Sequence, residues 1–187
     1  MNFLELNLFA ISVLAVNFLT SLSYFYIYSN QKMKASFFKM PQFLQKLYVA
    51  FFVLPLFIAP FIEQSKFMDN RAYFLFLGTI MSILGFTFIT MSFLKIGFVP
   101  SIKEKGGLSS KGVYGIVRHP IYAGTIQVQI GFTLLNQSLI TLIYIPISIL
   151  LYLLMAIIEE HDLKDLFGND YIEYKKKVKK RIIPFLM

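Results

Sequence analysis

Forty consecutive residues, 119–158, carry no Asp, Glu, Lys or Arg. A soluble domain averages about one charged residue in four, so this run constrains the chain more than any other feature. It is too long for one membrane-spanning helix, which needs about 20 residues. Its strongest turn signal is Asn136-Gln137-Ser138 in the middle. The run therefore reads as two apolar helices, 121–135 and 139–158, folded back on each other. Such a hairpin brings two polar ends to one membrane face: Arg118-His119-Pro120-Ile121-Tyr122 and Glu159-Glu160. Ionisable groups at a lipid boundary are costly, and by default they mark a functional site.

The rest of the chain agrees with a lipid solvent. Of 187 residues, 57% are hydrophobic and only 15% charged. Three further apolar segments, 6–27, 47–62 and 72–94, precede the hairpin. The segments at 47–62 and 121–135 are short for a full span, so tilt, thinning or a partly re-entrant path would accommodate them. Pro55, Pro60 and Pro146 fall inside segments, where proline kinks a helix. The expected fold is all-α: a multi-pass membrane bundle of about five transmembrane helices, the last two a hairpin, plus a C-terminal interfacial helical tail. It forms one integral membrane domain over 1–187, with three helices in 1–95 and a loop, hairpin and tail in 96–187. The first segment lacks the basic flank and small-residue cleavage site of a signal peptide. With no cysteine and two histidines, the composition offers no disulfide and no thiolate or His-rich metal site.

Charge sets the expected orientation. Sixteen basic residues fall on one side: Lys32, Lys34, Lys39 and Lys46 after the first segment, Lys95, Lys103, Lys105, Lys111 and Arg118 before the hairpin, and Lys164, Lys175, Lys176, Lys177, Lys179, Lys180 and Arg181 in the tail. Only Lys66 and Arg71 fall on the other. The positive-inside rule then puts the N-terminus outside, with the loop before the hairpin and the C-terminus cytoplasmic. The net charge of +8 is placed for anionic headgroups rather than nucleic acid, and no nucleic-acid motif accompanies it.

At the hairpin's start, the residue before a proline avoids the α region and proline favours the first helical position. His119 is thus the expected N-cap and Pro120 the first helical residue. The unpaired N–H groups there, with Arg118, suit an anion. The same residues also permit a plainer role, with Arg118 snorkelling to lipid phosphate and His119 capping. Tyr122 sits one turn in, facing the site or belonging to an interfacial belt. Glu159 and Glu160 suit an ammonium or a ribose, or simply close a helix at the interface; His161 reads as solvated. Beyond them the last helix continues to Phe167, with Gly168 as its stop and Asn169 as the next N-cap. A short helix then carries Tyr171, Tyr174 and Val178 on one face and lysines on the other. Its periodicity fits an interfacial anchor folded back near the loop.

The stretch GVYGIVRHPIYAG (Gly112 to Gly124), an apolar hairpin, Glu159-Glu160, LFGNDYIEYKKKV (Leu166 to Val178) and Pro184 resembles the isoprenylcysteine carboxyl methyltransferase and phospholipid methyltransferase superfamily. The pattern there is RHPxY, an apolar stretch, EE, then FGxxYxxY. The resemblance runs from Gly106 onward. It implies an integral membrane methyltransferase dependent on S-adenosylmethionine, with a lipophilic, membrane-delivered acceptor. By motif position, Arg118, His119 and Tyr122 would hold the cofactor's amino-acid end, and Glu159 and Glu160 its ammonium or ribose. Tyr171 and Tyr174 would pack a lid, and Gly112 and Tyr114 would shape the loop over it. No general base is assigned; Arg118 and Glu160 are positioning residues.

The turn before Glu159 reads Met155-Ala156-Ile157-Ile158, where carboxyl-methylating relatives often carry an arginine. The acceptor class stays open between carboxylate, amine and thiol. Two other readings compete. An NADPH-dependent sterol-type membrane reductase has a similar C-terminal layout, but tends to read RHPNY followed by Gly-Glu, where this chain has Ile121 and Gly124-Thr125. A non-catalytic membrane scaffold would keep the fold without needing an intact RHPxY and EE set.

Overall fold

The computed structural model describes residues 3–68, 71–96 and 111–182. Lys103, Lys105, Gly106 and Pro184, which the sequence reading uses, lie outside them. Seven α-helices are described: α1 Phe3–Ser29, α2 Gln31–Lys39, α3 Gln42–Ile58, α4 Arg71–Ile96, α5 Pro120–Asn136, α6 Leu139–Phe167 and α7 Asn169–Lys177. Short 3-10 turns cover Ala59–Phe61 and Gly112–Gly115. Among the described residues the β pairing amounts to one isolated bridge, Lys66 to Ser138.

Four helical stretches are long and apolar enough to cross a membrane: Asn7–Ser29, Gln42–Phe61, Ala72–Lys95 and Leu139–Phe167. Their outer faces carry exposed Leu19, Phe43, Phe76, Leu94 and Ile143, a belt that only lipid covers without penalty. The fifth apolar helix, α5, spans about 25 Å at the usual rise per residue. It is the central helix: Ala123, Thr125, Ile126, Val128, Gln129 and Thr133 are all buried.

The expected hairpin forms, and its turn is built as the residues suggest. Gln137 adopts φ 55°, closing α5 in the left-handed region, and Ser138 starts α6. The first N–H groups of α6 are not capped by Ser138, however. Gln64 reaches in, its Oε1 accepting from the Ile140 N–H at 3.0 Å, while the Ser138 hydroxyl donates to the Pro60 carbonyl at 2.7 Å. Pro60 thus lies in the 3-10 turn after α3 rather than inside a helix; Pro55 and Pro146 are intrahelical.

The closest helix pairing is not within the hairpin. It joins α4 to α5, through glycines on both helices. A Cβ on Gly85 would stand 2.7 Å from the Gly124 carbonyl oxygen, and one on Gly124 would stand 2.7 Å from that of Gly85. Gly78 faces the Gly131 carbonyl in the same way. Lipid tails give no hydrophobic drive for helices to associate, so close backbone approach at small residues supplies the attraction. Polar side chains add to it. Asn17 of α1 donates to the Phe52 carbonyl at 2.6 Å and accepts from the Tyr144 hydroxyl at 2.8 Å. Ser148 donates to Gln129 at 2.7 Å. Each such bond contributes about 0.6 kcal/mol on average.

Between the first two spans the chain forms α2, a helix the sequence reading leaves as loop. Asn30 caps it, accepting from the N–H groups of Lys32 and Met33. Lys34 of α2 pairs with Asp162 of α6, tying the loop to the end of the hairpin.

Candidate active site

At the end where α5 begins and α6 finishes, the structure gathers Arg118, His119, Tyr122, Glu159 and Glu160. Local geometry follows from Pro120. His119 is the N-cap with φ -120°, and Pro120 opens the helix. The His119 side chain makes no capping bond, which leaves its ring for the site. Tyr122, one turn on, lies parallel to that ring, 6° between planes and 5.5 Å between centroids.

The two acids have different partners. Glu160 is 5% exposed and is surrounded by cations. Arg118 Nε and Nη2 lie 2.9 and 2.8 Å from its Oε1. Arg181 Nε donates to the same oxygen at 2.9 Å, and Arg181 Nη2 to Oε2 at 3.1 Å. Lys175 Nζ sits 3.3 Å from Oε2. Arg118 spends its remaining nitrogen on the tail, Nη1 donating at 2.7 Å to the carbonyls of Val178 and Lys179. Backbone bonds continue the clasp: the Arg118 N–H donates to the Lys180 carbonyl at 3.0 Å and the His119 N–H to that of Arg181 at 2.9 Å. A carboxylate with this many charged donors is held by the strong class of hydrogen bond.

Glu159 faces hydroxyls instead. Its Oε1 accepts from Tyr24 of α1 at 3.0 Å and from Tyr122. Its Oε2 lies 3.4 Å from His119 Nδ1. His119 Nε2 is 3.5 Å from Glu160 Oε1 but is not aligned for a hydrogen bond, so this buried nitrogen has no bonding partner. Burial works against a charged imidazole. The two neighbouring carboxylates outweigh it and raise the His119 pKa above its ordinary 6.5. The Arg181 pKa is likewise raised, first by its hydrogen bond to Glu160.

The tail closes over this end. Gly168 stops α6 at φ 53° and Asn169 is already the first residue of α7. Tyr171, Tyr174 and Val178 are buried against Leu163 and Phe167, so their face is turned to the chain itself. The Tyr174 hydroxyl donates to the Tyr114 carbonyl at 2.8 Å, joining the tail to the 3-10 turn at Gly112, where φ is 65°. His161 is solvated, 78% exposed in its side chain.

Arg181, Lys175 and Tyr24 also contribute. In the sequence Arg181 and Lys175 read only as tail charge, and Tyr24 only as part of an apolar span. The alternation of tyrosines in α1 carries no mark of a partner 135 positions away.

The fold and this clasp define an all-helical membrane protein whose charged residues converge at one end of a hairpin. A family model described as phospholipid methyltransferase matches residues 73–170, and the chain belongs to that family. It is also similar to protein-S-isoprenylcysteine O-methyltransferase B of Arabidopsis thaliana, 34% identical over 77 residues. That match covers 41% of this chain and 39% of the plant protein. No solved structure matches it. The apolar helices and the family together make it an integral membrane protein.

Proposed function

We propose that the protein transfers a methyl group from S-adenosylmethionine to a lipophilic acceptor that reaches the site through the membrane. The observation that carries this reading is the pairing of an unspent His119 Nε2 donor with a Glu159 carboxylate held by two tyrosine hydroxyls. The cofactor has an amino-acid end with both charges, a ribose diol and a sulfonium. His119 Nε2 suits its carboxylate, and Glu159 Oε2 suits its ammonium or a ribose hydroxyl, so the donor set fits.

When bound, the cofactor supplies an electrophilic methyl group. The chain's own residues align and enclose. Tyr24 and Tyr122 fix the Glu159 carboxylate. Arg118 and Glu160, with Arg181, pin the tail, so that Tyr171 and Tyr174 close over the loop shaped by Gly112 and Tyr114. Alignment and exclusion of water are the main contributions a protein makes to such a displacement. Arg118 and Glu160 act here as positioning residues, and no residue is assigned as a base. The acceptor is a carboxylate, amine or thiol on a lipophilic body. The basic bias supports an N-terminus outside and a cytoplasmic loop and C-terminus.

The test is incubation of purified protein with methyl-labelled S-adenosylmethionine and a panel of lipid extracts, with NADPH binding measured in parallel. Label entering the lipid fraction is expected. NADPH binding without label transfer would replace this reading with a reductase; neither binding nor transfer would leave the scaffold.

A further inference from the structure

Beside the clasp, and sharing Glu160 and Lys175 with it, an open cleft of about 500 Å³ lies against α7. Its floor is Glu160 and Tyr171, and its rim is Lys164, Lys175, Lys176 and Lys179. Glu160 already faces Arg118 and Arg181, so its charge is more than balanced and the rim lysines are in surplus. Of those four, Lys175 alone lies within ion-pair distance of an acid among the described residues. Tyr171 is 1% exposed, yet its hydroxyl has no hydrogen-bond partner. A buried hydroxyl without a partner is costly, and this one lies at the floor of the cleft. The cleft is within the size range of small-molecule sites.

A sulfonium cofactor does not suit a ring of four lysines; an anion does. The apolar side chain in the cleft wall decides which kind. Ile172 lines it and is 37% exposed. A soluble anion has no use for that apolar lip, whereas acyl chains cover it. We propose that this cleft binds the phosphate-bearing headgroup of an anionic phospholipid, with Lys164, Lys176 and Lys179 holding the phosphate and Ile172 meeting the upper acyl chain. The cleft shares Glu160 and Tyr171 with the methyl-transfer site, but the lysines that would hold the phosphate have no part in that reading.

The test uses the full chain in phosphatidylcholine nanodiscs containing a minor fraction of phosphatidylglycerol, with retained lipids read by native mass spectrometry. Two variants are compared: Lys164→Gln/Lys176→Gln/Lys179→Gln at the cleft, and Lys32→Gln/Lys39→Gln/Lys46→Gln elsewhere at the same end. All six lysines are exposed, so folding is retained. The preference for phosphatidylglycerol is expected to fall on the order of a hundredfold in the cleft variant, on the scale of attraction per lysine near a membrane, and to persist in the other. An equal loss in both variants would make the attraction diffuse and overturn the proposal. So would an unchanged preference in the cleft variant, or displacement of the lipid by millimolar inorganic phosphate.

Discussion

Arg118 and Glu160, 42 positions apart in sequence, meet with Nη2 2.8 Å from Oε1 and both side chains almost wholly buried. This pair closes the hairpin at its polar end and fastens the tail to it. Removing one partner of a buried pair leaves the other charge uncompensated, a loss of about 3–5 kcal/mol. Glu160→Ala is therefore expected to lower detergent stability by that order, since it strands Arg118. Thermal unfolding in detergent checks this; an unchanged midpoint would mean the clasp contributes little.

Glu159 is the more exposed acid, with 27% of its side chain accessible, and its partners are neutral hydroxyls and His119. Glu159→Ala and His119→Ala are expected to abolish S-adenosylmethionine binding while leaving expression and detergent stability largely intact. Calorimetry reads the affinity directly, and full wild-type affinity in both variants would remove these residues from the cofactor site.

The raised His119 pKa fixes the sign of a pH effect. The folded state holds the imidazolium more tightly than the unfolded chain, whose histidine titrates near about 6.5. The stabilisation is complete below that value and is lost as pH rises through the folded pKa. Melting midpoints are expected to fall over that interval in the wild type. The same scan of His119→Gln should lose this component of the slope; an identical slope in both would assign the effect to another group.

The contact between α4 and α5 leaves no room for a side chain at Gly85 or Gly124. Gly85→Ala and Gly124→Ala each force a backbone shift, with an expected loss of about 1–3 kcal/mol. Because both act on one contact, the double variant should lose less than the sum of the singles. Strict additivity in unfolding measurements would mean the two glycines do not share a contact.

The orientation has its own check. A reporter fused after Met187 is expected to be active in the form that works in cytoplasm. Activity only in the exported form would reverse the assignment.

Local composition and patterning set the solvent of this chain, its helical class and the end at which its polar motifs meet. Those follow from local properties: forty uncharged residues cannot face water, one turn divides them, and a hairpin returns both ends to the same side. The stop at Gly168 was legible because glycine reaches positive φ without strain. The partners, by contrast, come from how the bundle packs. Tyr24 and Arg181 come to Glu159 and Glu160 from opposite ends of the chain, and no periodicity encodes a contact between elements so far apart. The small residues at 78, 85, 124 and 131 hint at close packing, but their partner helix depends on how the whole bundle satisfies its polar groups away from water. The division between the two acids belongs there too: they are neighbours in sequence, and the 100° turn between successive helical residues sends one to the guanidiniums of the tail and the other to the tyrosines of the bundle.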